Sequence, residues 1–191
     1  MDKYLQLLIV LCISITVVEL DAYSKVVSQY GKGNVLSERW ATGQGFFEDR
    51  QKWLAGDFNG DGKDDLAKVY IEKGKASIDV HLSGSGAFKP QRWAMQQGSF
   101  WDEQKWLAGD FNGDGKDDLA KVYIEKGKAS IDVHLSGGGA VKPQRWATQQ
   151  GSFWDEQKWL AGDFNGNGKN DLAKIFLERN RASIDVHLSQ N

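Results

Sequence analysis

The sequence of 191 residues has one cysteine, Cys12, and no large excess of either charge. A single cysteine cannot form a disulfide within the chain, so packing or bound metal must stabilise the fold. The formal net charge is −2, and three acidic residues but one basic residue lie within positions 1–22. The remainder is formally neutral. This balance argues against nucleic-acid binding, which needs a basic surface.

The sequence also lacks an apolar run long enough to span a membrane. The run at residues 4–18 is shorter than the about 20 residues that a spanning helix needs. This run follows Lys3 and precedes Ala22, which is the pattern of a cleaved secretory signal. An uncleaved membrane anchor is the alternative. We expect residues 1–22 to be a signal peptide, residues 23–191 to be secreted and extracellular, and no membrane span.

What the sequence does contain is a tandem repeat with a period of 53 residues. Residues 51–103 and 104–156 differ at three aligned positions, and a third copy runs over residues 157–191. Residues 23–50 form a partial repeat, in which residues 39–41 match residues 92–94 and residues 24–30 match residues 77–83 more loosely. We therefore expect one repeat domain over residues 23–191, with an N-terminal strand that completes the C-terminal repeat.

Each repeat has a pattern typical of four short β-strands. In the first repeat we expect them at residues 52–57, 66–72, 77–83 and 91–96, with Gly84, Gly86 and Pro90 marking a loop before the last. Apolar residues alternate with polar ones along the third strand. Four antiparallel strands in a period of roughly 40–50 residues are typical of a β-propeller blade, so the expected fold is all-β.

An acidic loop with the sequence DFNGDGKDD separates the first two expected strands of each repeat. Oxygen-bearing side chains stand at loop positions 1, 3, 5 and 9, and the main-chain carbonyl of position 7 adds a further oxygen, as calcium prefers. An EF-hand would need a bidentate Glu at position 12, where Lys68 stands. A turn without metal and a catalytic use of the carboxylates are the alternatives. We predict up to three Ca²⁺ ions, with these ligands: Asp57, Asn59, Asp61, Lys63, Asp65, Asp110, Asn112, Asp114, Lys116, Asp118, Asp163, Asn165, Asn167, Lys169 and Asp171.

The motif AGDFNGDGKDDLA at residues 55–67, with its two later copies, resembles the FG-GAP/VCBS repeat family. That family forms the blades of the integrin α-subunit head and of certain propeller lectins. The resemblance covers residues 23–191 and implies that the acidic loop joins two strands of a blade and holds calcium. Three repeats are fewer than the about four to eight blades of a closed ring. We expect a homo-oligomer, with a dimer favoured and a compact three-blade monomer as the alternative.

Aromatic and histidine side chains recur once or twice per repeat. We expect Trp40, Trp53, Trp93, Trp106, Trp146 and Trp159 to pack in the core or between blades. Trp101 and Trp154 stand in the connections between repeats, beside Asp102 and Asp155, where they would bind sugar or pack between blades. His81, His134 and His187 are expected on a solvated polar face rather than at a zinc site.

The sequence therefore indicates a secreted, calcium-binding β-propeller-like module that binds an extracellular carbohydrate, as lectins do, or a protein in cell adhesion. The alternative is a purely structural repeat module, or a propeller fragment, without its own ligand. No recognised nucleophile motif is present, so we expect no catalytic residues and no enzyme activity.

Overall fold

The computed structural model describes residues 37–190, and these residues form eleven β-strands and no helix. Within that range no helix has the length and apolar character to cross a membrane. The strands make three antiparallel sheets, one for each sequence repeat, and neighbours in sequence are neighbours in each sheet. The first sheet is β1 (Lys52–Gly56), β2 (Asp65–Glu72), β3 (Lys75–Gly84) and β4 (Ala87–Ala94), the second is β5 (Lys105–Gly109), β6 (Asp118–Glu125), β7 (Lys128–Gly137) and β8 (Ala140–Ala147), and the third is β9 (Lys158–Gly162), β10 (Asp171–Glu178) and β11 (Arg181–His187).

The predicted all-β fold with antiparallel sheets is confirmed, but within residues 37–190 the third sheet has three strands instead of four. Of the partial repeat expected to complete it, the described part around Trp40 packs elsewhere. The main-chain N–H of Phe88 donates to the main-chain carbonyl of Trp40 at 3.4 Å, and the ring centroids of the two side chains are 5.6 Å apart. The chain near Trp40 therefore packs beside the first sheet. The predicted signal and the predicted extra strand at residues 24–30 lie outside the described residues.

The fourth strand of the first repeat begins earlier than predicted. β4 includes Pro90, which pairs opposite His81, so the expectation of a loop at this proline is wrong. β4 lies at the edge of its sheet, where a missing N–H costs no ladder hydrogen bond. The register between β3 and β4 shifts at Ile78 and Asp79. This irregularity leaves Trp93 unpaired in the ladder, and its side chain is buried in the core.

The core of each repeat is completed by the repeat that follows it. One buried cluster joins Phe58 and Ile78 of the first repeat to Trp106 and Leu119 of the second. The equivalent cluster, 53 residues on, joins Phe111 and Ile131 of the second repeat to Trp159 and Leu172 of the third. Successive sheets therefore bury the same apolar surfaces against each other, which confirms the core role expected for Trp93, Trp106 and Trp159.

The hairpin between the second and third strands of each repeat turns on two residues in the left-handed region. Lys73 and Gly74 have φ angles of 51° and 78°. Two successive residues of positive φ are typical of a type I′ turn, whose twist matches that of the flanking strands. In the third repeat Arg179 and Asn180 take these places, with φ angles of 49° and 62°. Asn tolerates this region better than most residues with a Cβ atom.

This turn predicts different costs for two glycine substitutions in the second repeat. Gly127→Ala places a Cβ atom at a φ of 77°, and we expect the free energy of unfolding to fall by about 1 kcal/mol. Gly137→Ala is the matched control, because Gly137 ends β7, is not among the residues of positive φ and would place its Cβ atom in open space. Urea denaturation measures both variants. Equal losses would show that the turn geometry is not what makes Gly127 necessary.

Candidate functional site

Each acidic loop is organised around the aspartate at its first position. The carboxylate of Asp57 accepts hydrogen bonds from the main-chain N–H groups of Gly60, Asp61 and Gly62, at 2.7, 3.0 and 2.7 Å. Positive φ angles at Gly60 and Gly62 turn the main chain sharply enough to aim these donors inward. The same three bonds form around Asp110 in the second loop and around Asp163 in the third.

The side chains at loop positions 3 and 5 tighten the same turn. The Oδ1 atom of Asn59 accepts from the N–H of Asp61 at 2.7 Å, and Oδ1 of Asp61 accepts from the N–H of Lys63 at 3.0 Å. Lys63 itself is exposed, with its Nζ atom 3.7 Å from Oδ2 of Asp61. These local bonds explain why the loop can hold its shape through its own oxygens.

The aspartate at the ninth position is fully buried in every loop. Oδ1 of Asp65 accepts from the N–H of Ser83 at 2.7 Å, and Asp118 makes the equivalent bond to Ser136 at 2.8 Å. The Oδ2 atoms of Asp65 and Asp118 are buried without a hydrogen-bond partner. In the third loop, Oδ2 of Asp171 accepts from the N–H of Phe164 at 3.2 Å. Two of the three loops therefore contain a buried carboxylate oxygen whose bonding capacity is unused.

Electrostatics make the buried carboxylates of Asp65 and Asp118 costly to ionise without a cation. Burial raises the pKa of Asp118 to about 7, and repulsion from Asp114 and Asp110 adds to the shift. Burial also raises the pKa of Asp65, where Asp61 and Asp57 contribute in the same sense. The acidic side chains of positions 1, 5 and 9 are thus close enough to repel one another.

The predicted ligands do not all converge in this structure. Within residues 37–190, no three His, Cys, Asp or Glu side chains lie together as a group that could hold a metal ion. Both carboxylate oxygens of Asp57 are bonded to the loop's own main chain. The predicted ligand set also includes the amide of Asn59 and the carbonyl of Lys63, which are outside those four residue types.

A second role of the loops, which the sequence analysis missed, is to join successive repeats. The N–H of Asp57 donates to Oδ2 of Asp117 at 2.8 Å, and the N–H of Asp117 donates back to the carbonyl of Asp57 at 2.8 Å. Asn170 makes the same two bonds with Asp110, at 3.0 and 2.7 Å. We call this pair of bonds the loop clamp. A Cβ atom at Gly56 would lie 2.6 Å from Oδ2 of Asp117, so the clamp requires glycine there.

The two connections between repeats contribute tryptophans to one shared cavity. Trp101 and Trp154, both about half exposed, line a mainly apolar cavity of about 470 Å³. Asp155 also lines it, whereas Asp102, the other aspartate predicted to bind ligand, does not and instead pairs with Arg50 at 2.9 Å. The sequence did not indicate the other lining residues, Glu103, Gln104, Ile124 and Phe153. The carboxylate of Asp155 bonds to Lys105, which lowers its pKa and keeps it charged.

The histidines do not form the solvated face that the sequence predicted. His81 and His134 are buried, with ring centroids 5.2 Å from Trp53 and 5.3 Å from Trp106. The expectation was wrong because the tryptophan of the first strand covers the polar face of the third. Both ring nitrogens of His134 lack a hydrogen-bond partner, and burial, assisted by Lys121 and opposed by Asp132, lowers its pKa to about 4.

Comparison with models of known protein families gives no match to this chain, and comparison with curated proteins gives none either.

Burial of His134 predicts a loss of stability in mild acid. The ordinary pKa of about 6.5 applies in the unfolded chain, so between roughly pH 6.5 and 4 the unfolded state binds a proton that the folded state excludes. The neutral, buried His134 therefore contributes fully to the free energy of unfolding above pH 6.5, and this contribution is lost as the pH falls toward 4. We expect His134→Phe to remove part of this loss, on the order of 1–3 kcal/mol, in urea denaturation across that range.

His187→Phe is the matched control, because burial lowers the pKa of His187 as well but its side chain is only partly buried. Its effect on the pH slope should be smaller than that of His134→Phe. Identical pH slopes for the parent and His134→Phe would contradict a neutral buried imidazole.

Proposed function

We propose that this chain is a calcium-stabilised extracellular binding module with repeats of the FG-GAP/VCBS type. Its proposed ligand is a carbohydrate held in the cavity between Trp101 and Trp154. The observation that carries the binding function is the pair of half-exposed indole rings in one cavity, with charged and amide groups beside them. The observation that carries calcium is the unused buried carboxylate oxygen of Asp65 and Asp118.

The donor set of the loops fits calcium in its chemistry. Calcium takes six to eight hard oxygen ligands from carboxylates, amides and main-chain carbonyls. Each loop offers these types at positions 1, 3, 5, 7 and 9, and one oxygen, Oδ2, of the buried carboxylate at position 9 lacks a hydrogen-bond partner in the first two loops. A divalent cation would offset both the desolvation and the mutual repulsion that raise the pKa of Asp118. The loop sits between the first two strands of each sheet, which supports the resemblance to FG-GAP/VCBS repeats.

The tryptophan cavity fits the two-sided character of a sugar ring. A pyranose presents a C–H face, which packs on an aromatic ring, and hydroxyl groups, which need hydrogen-bond partners. Trp101 and Trp154 supply the aromatic surface, while Glu103, Gln104 and Asp155 supply polar groups at the same cavity. The mainly apolar lining favours a ligand that buries a hydrophobic face over a highly charged one.

The charge difference among the loops predicts that the third calcium site is the weakest. Asn167 replaces the aspartate found at position 5 of the other loops, Asp61 and Asp114. An amide oxygen still coordinates but carries no charge, and ligand charge tunes calcium affinity. We expect Asn167→Asp to tighten the third site roughly tenfold, about 1.4 kcal/mol, in calorimetric titration with Ca²⁺.

Asn170→Asp is the matched control, because it adds the same charge at loop position 8, which the ligand set excludes and where Asp117 forms the same clamp in the second loop. Loops one and two carry Asp64 and Asp117 there. We expect a smaller gain than for Asn167→Asp, and a higher melting temperature with Ca²⁺ than with chelator for every variant. Melting curves that coincide with and without Ca²⁺ would reject the metal proposal.

The cavity predicts that carbohydrate binding depends on both tryptophans. Trp101→Ala and Trp154→Ala should each weaken binding roughly tenfold or more, because each removes one aromatic wall of the cavity. A glycan array identifies the sugar, and titration calorimetry measures the variants. Phe46→Ala is the control, since Phe46 is strongly exposed and does not line the cavity. Absence of binding to any glycan in the presence of Ca²⁺ would instead favour a structural module without its own ligand.

A further inference from the structure

Burial at equivalent positions differs strongly between nearly identical repeats. Phe58 and Phe111 are 0% and 1% exposed, whereas Phe164, the third copy, is 52% exposed. Since the surrounding repeat sequence is almost the same, the difference comes from what lies next to each repeat. We call the surface around Phe164 the trailing face. Its other apolar members are also exposed, unlike their counterparts in the second repeat: Leu160, Ile184 and Val186 against Leu107, Ile131 and Val133.

The opposite end of the three repeats shows the same contrast. Trp53 of the first repeat is 38% exposed, whereas Trp106 and Trp159 are 8% and 7% exposed. Leu66 is likewise less buried than its fully buried counterpart Leu119. We call the surface of Trp53 and Leu66 the leading face. Phe47, in the connection before the first repeat, is 79% exposed, whereas its equivalents Phe100 and Phe153 are buried.

The contacts between repeats show that these two faces are complementary. Within the chain, the leading face of the second repeat, Trp106 and Leu119, covers the trailing face of the first, which includes Phe58. The third repeat covers the second in the same way. The first repeat therefore carries the surface that covers, and the third repeat carries the surface that is covered. Within residues 37–190, an interface that is used twice leaves one unmatched surface of each kind.

The loop clamp is also incomplete at both ends. Asp117 and Asn170 clamp the preceding loops at Asp57 and Asp110. By equivalence with Asp117 and Asn170, Asp64 would form the loop clamp with a loop that precedes the first repeat. Asp163 would form it with a residue of a loop that follows the third repeat. Both are exposed, and among residues 37–190 no further repeat supplies either with that partner.

We propose that two copies of this chain associate head to tail, with the leading face of each covering the trailing face of the other. Asp64 of one copy then completes the clamp on the third loop of its partner. Such a heterologous interface closes into a ring only if its rotation returns to the start. Two copies bring six sheets, within the about four to eight of propellers, whereas three copies exceed that range.

The third loop carries one feature that fits a missing partner. The ring of Phe164 lies over Gly162, 3.2 Å from where a Cβ atom would stand. At Gly56 and Gly109 the side chains of Asp117 and Asn170 occupy that place. On association Phe164 turns inward, as Phe58 and Phe111 do, and the partner's clamp residue takes the position over Gly162. This inference goes beyond the proposed function and needs no sugar ligand.

Cysteine cross-linking tests the interface directly, in the full chain with Cys12→Ser. A Cβ atom at Gly56 would lie 3.0 Å from the Cβ atom of Asp117, and one at Gly109 would lie 2.9 Å from that of Asn170. A disulfide needs roughly 3.5–4.5 Å between Cβ atoms, a small adjustment. By equivalence, Asp64→Cys with Gly162→Cys should link two chains under mild oxidation, and a mixture of the two single variants should also link.

The chain offers matched controls for this cross-link. Gly56→Cys with Asp117→Cys should form the equivalent disulfide within one chain, which checks the geometry. Met95→Cys with Gly162→Cys should not link, because Met95 is exposed but belongs to neither face. Sedimentation of the unmodified protein should give twice the chain mass, and Ile184→Lys should raise the dissociation constant at least about tenfold by placing a charge in the interface.

Three results would contradict this head-to-tail association. A monomer at high concentration overturns the proposal and means that the trailing face stays exposed or is covered by the chain itself. A ladder of linked species without a closed pair overturns the two-copy ring. A dimer that fails to link through positions 64 and 162, while positions 56 and 117 link, overturns the head-to-tail arrangement.

Discussion

The structure depends on main-chain hydrogen bonds to the aspartates of one short loop. The aspartate at the first position gathers three N–H groups and so shapes the turn. The aspartate at the ninth position, buried beneath it, ties the loop to the third strand through Ser83. Asp117, at the eighth position of the next loop, ties one repeat to another. Local shape, sheet packing and the joint between repeats are therefore coupled through the same nine residues.

Much of the fold could be predicted because its signals are local. The period of 53 residues, the alternation along β3 and the Asp/Gly loop each need only neighbouring residues to be recognised. What the sequence did not indicate depends on contacts across strands. Pro90 marks a turn by its chemistry, yet an edge strand accepts it. His81 has the polarity of a solvated residue, yet Trp53 covers it.

The candidate site was predicted in type but only partly in geometry. Residue types indicated the candidate loop ligands and the connector tryptophans, and the structure places Trp101, Trp154 and Asp155 at one cavity. The sequence could not show that two connections separated by one period share a cavity, because that follows from how the sheets stack. Nor could it distinguish Asp102 from Asp155, since their different partners, Arg50 and Lys105, lie in other parts of the chain.

The contacts between successive repeats are equivalent, and this has a consequence for how such a chain can change its number of repeats. Residues 103 and 104 are Glu and Gln, and so are residues 156 and 157. Removing or duplicating one unit of 53 residues would rejoin the chain at an identical sequence and place an equivalent repeat against each neighbour. Arrays whose units touch only their neighbours have a stability that is approximately a sum of unit and joint contributions. The number of units is therefore a property that a single genetic exchange could alter while each remaining interface stays intact.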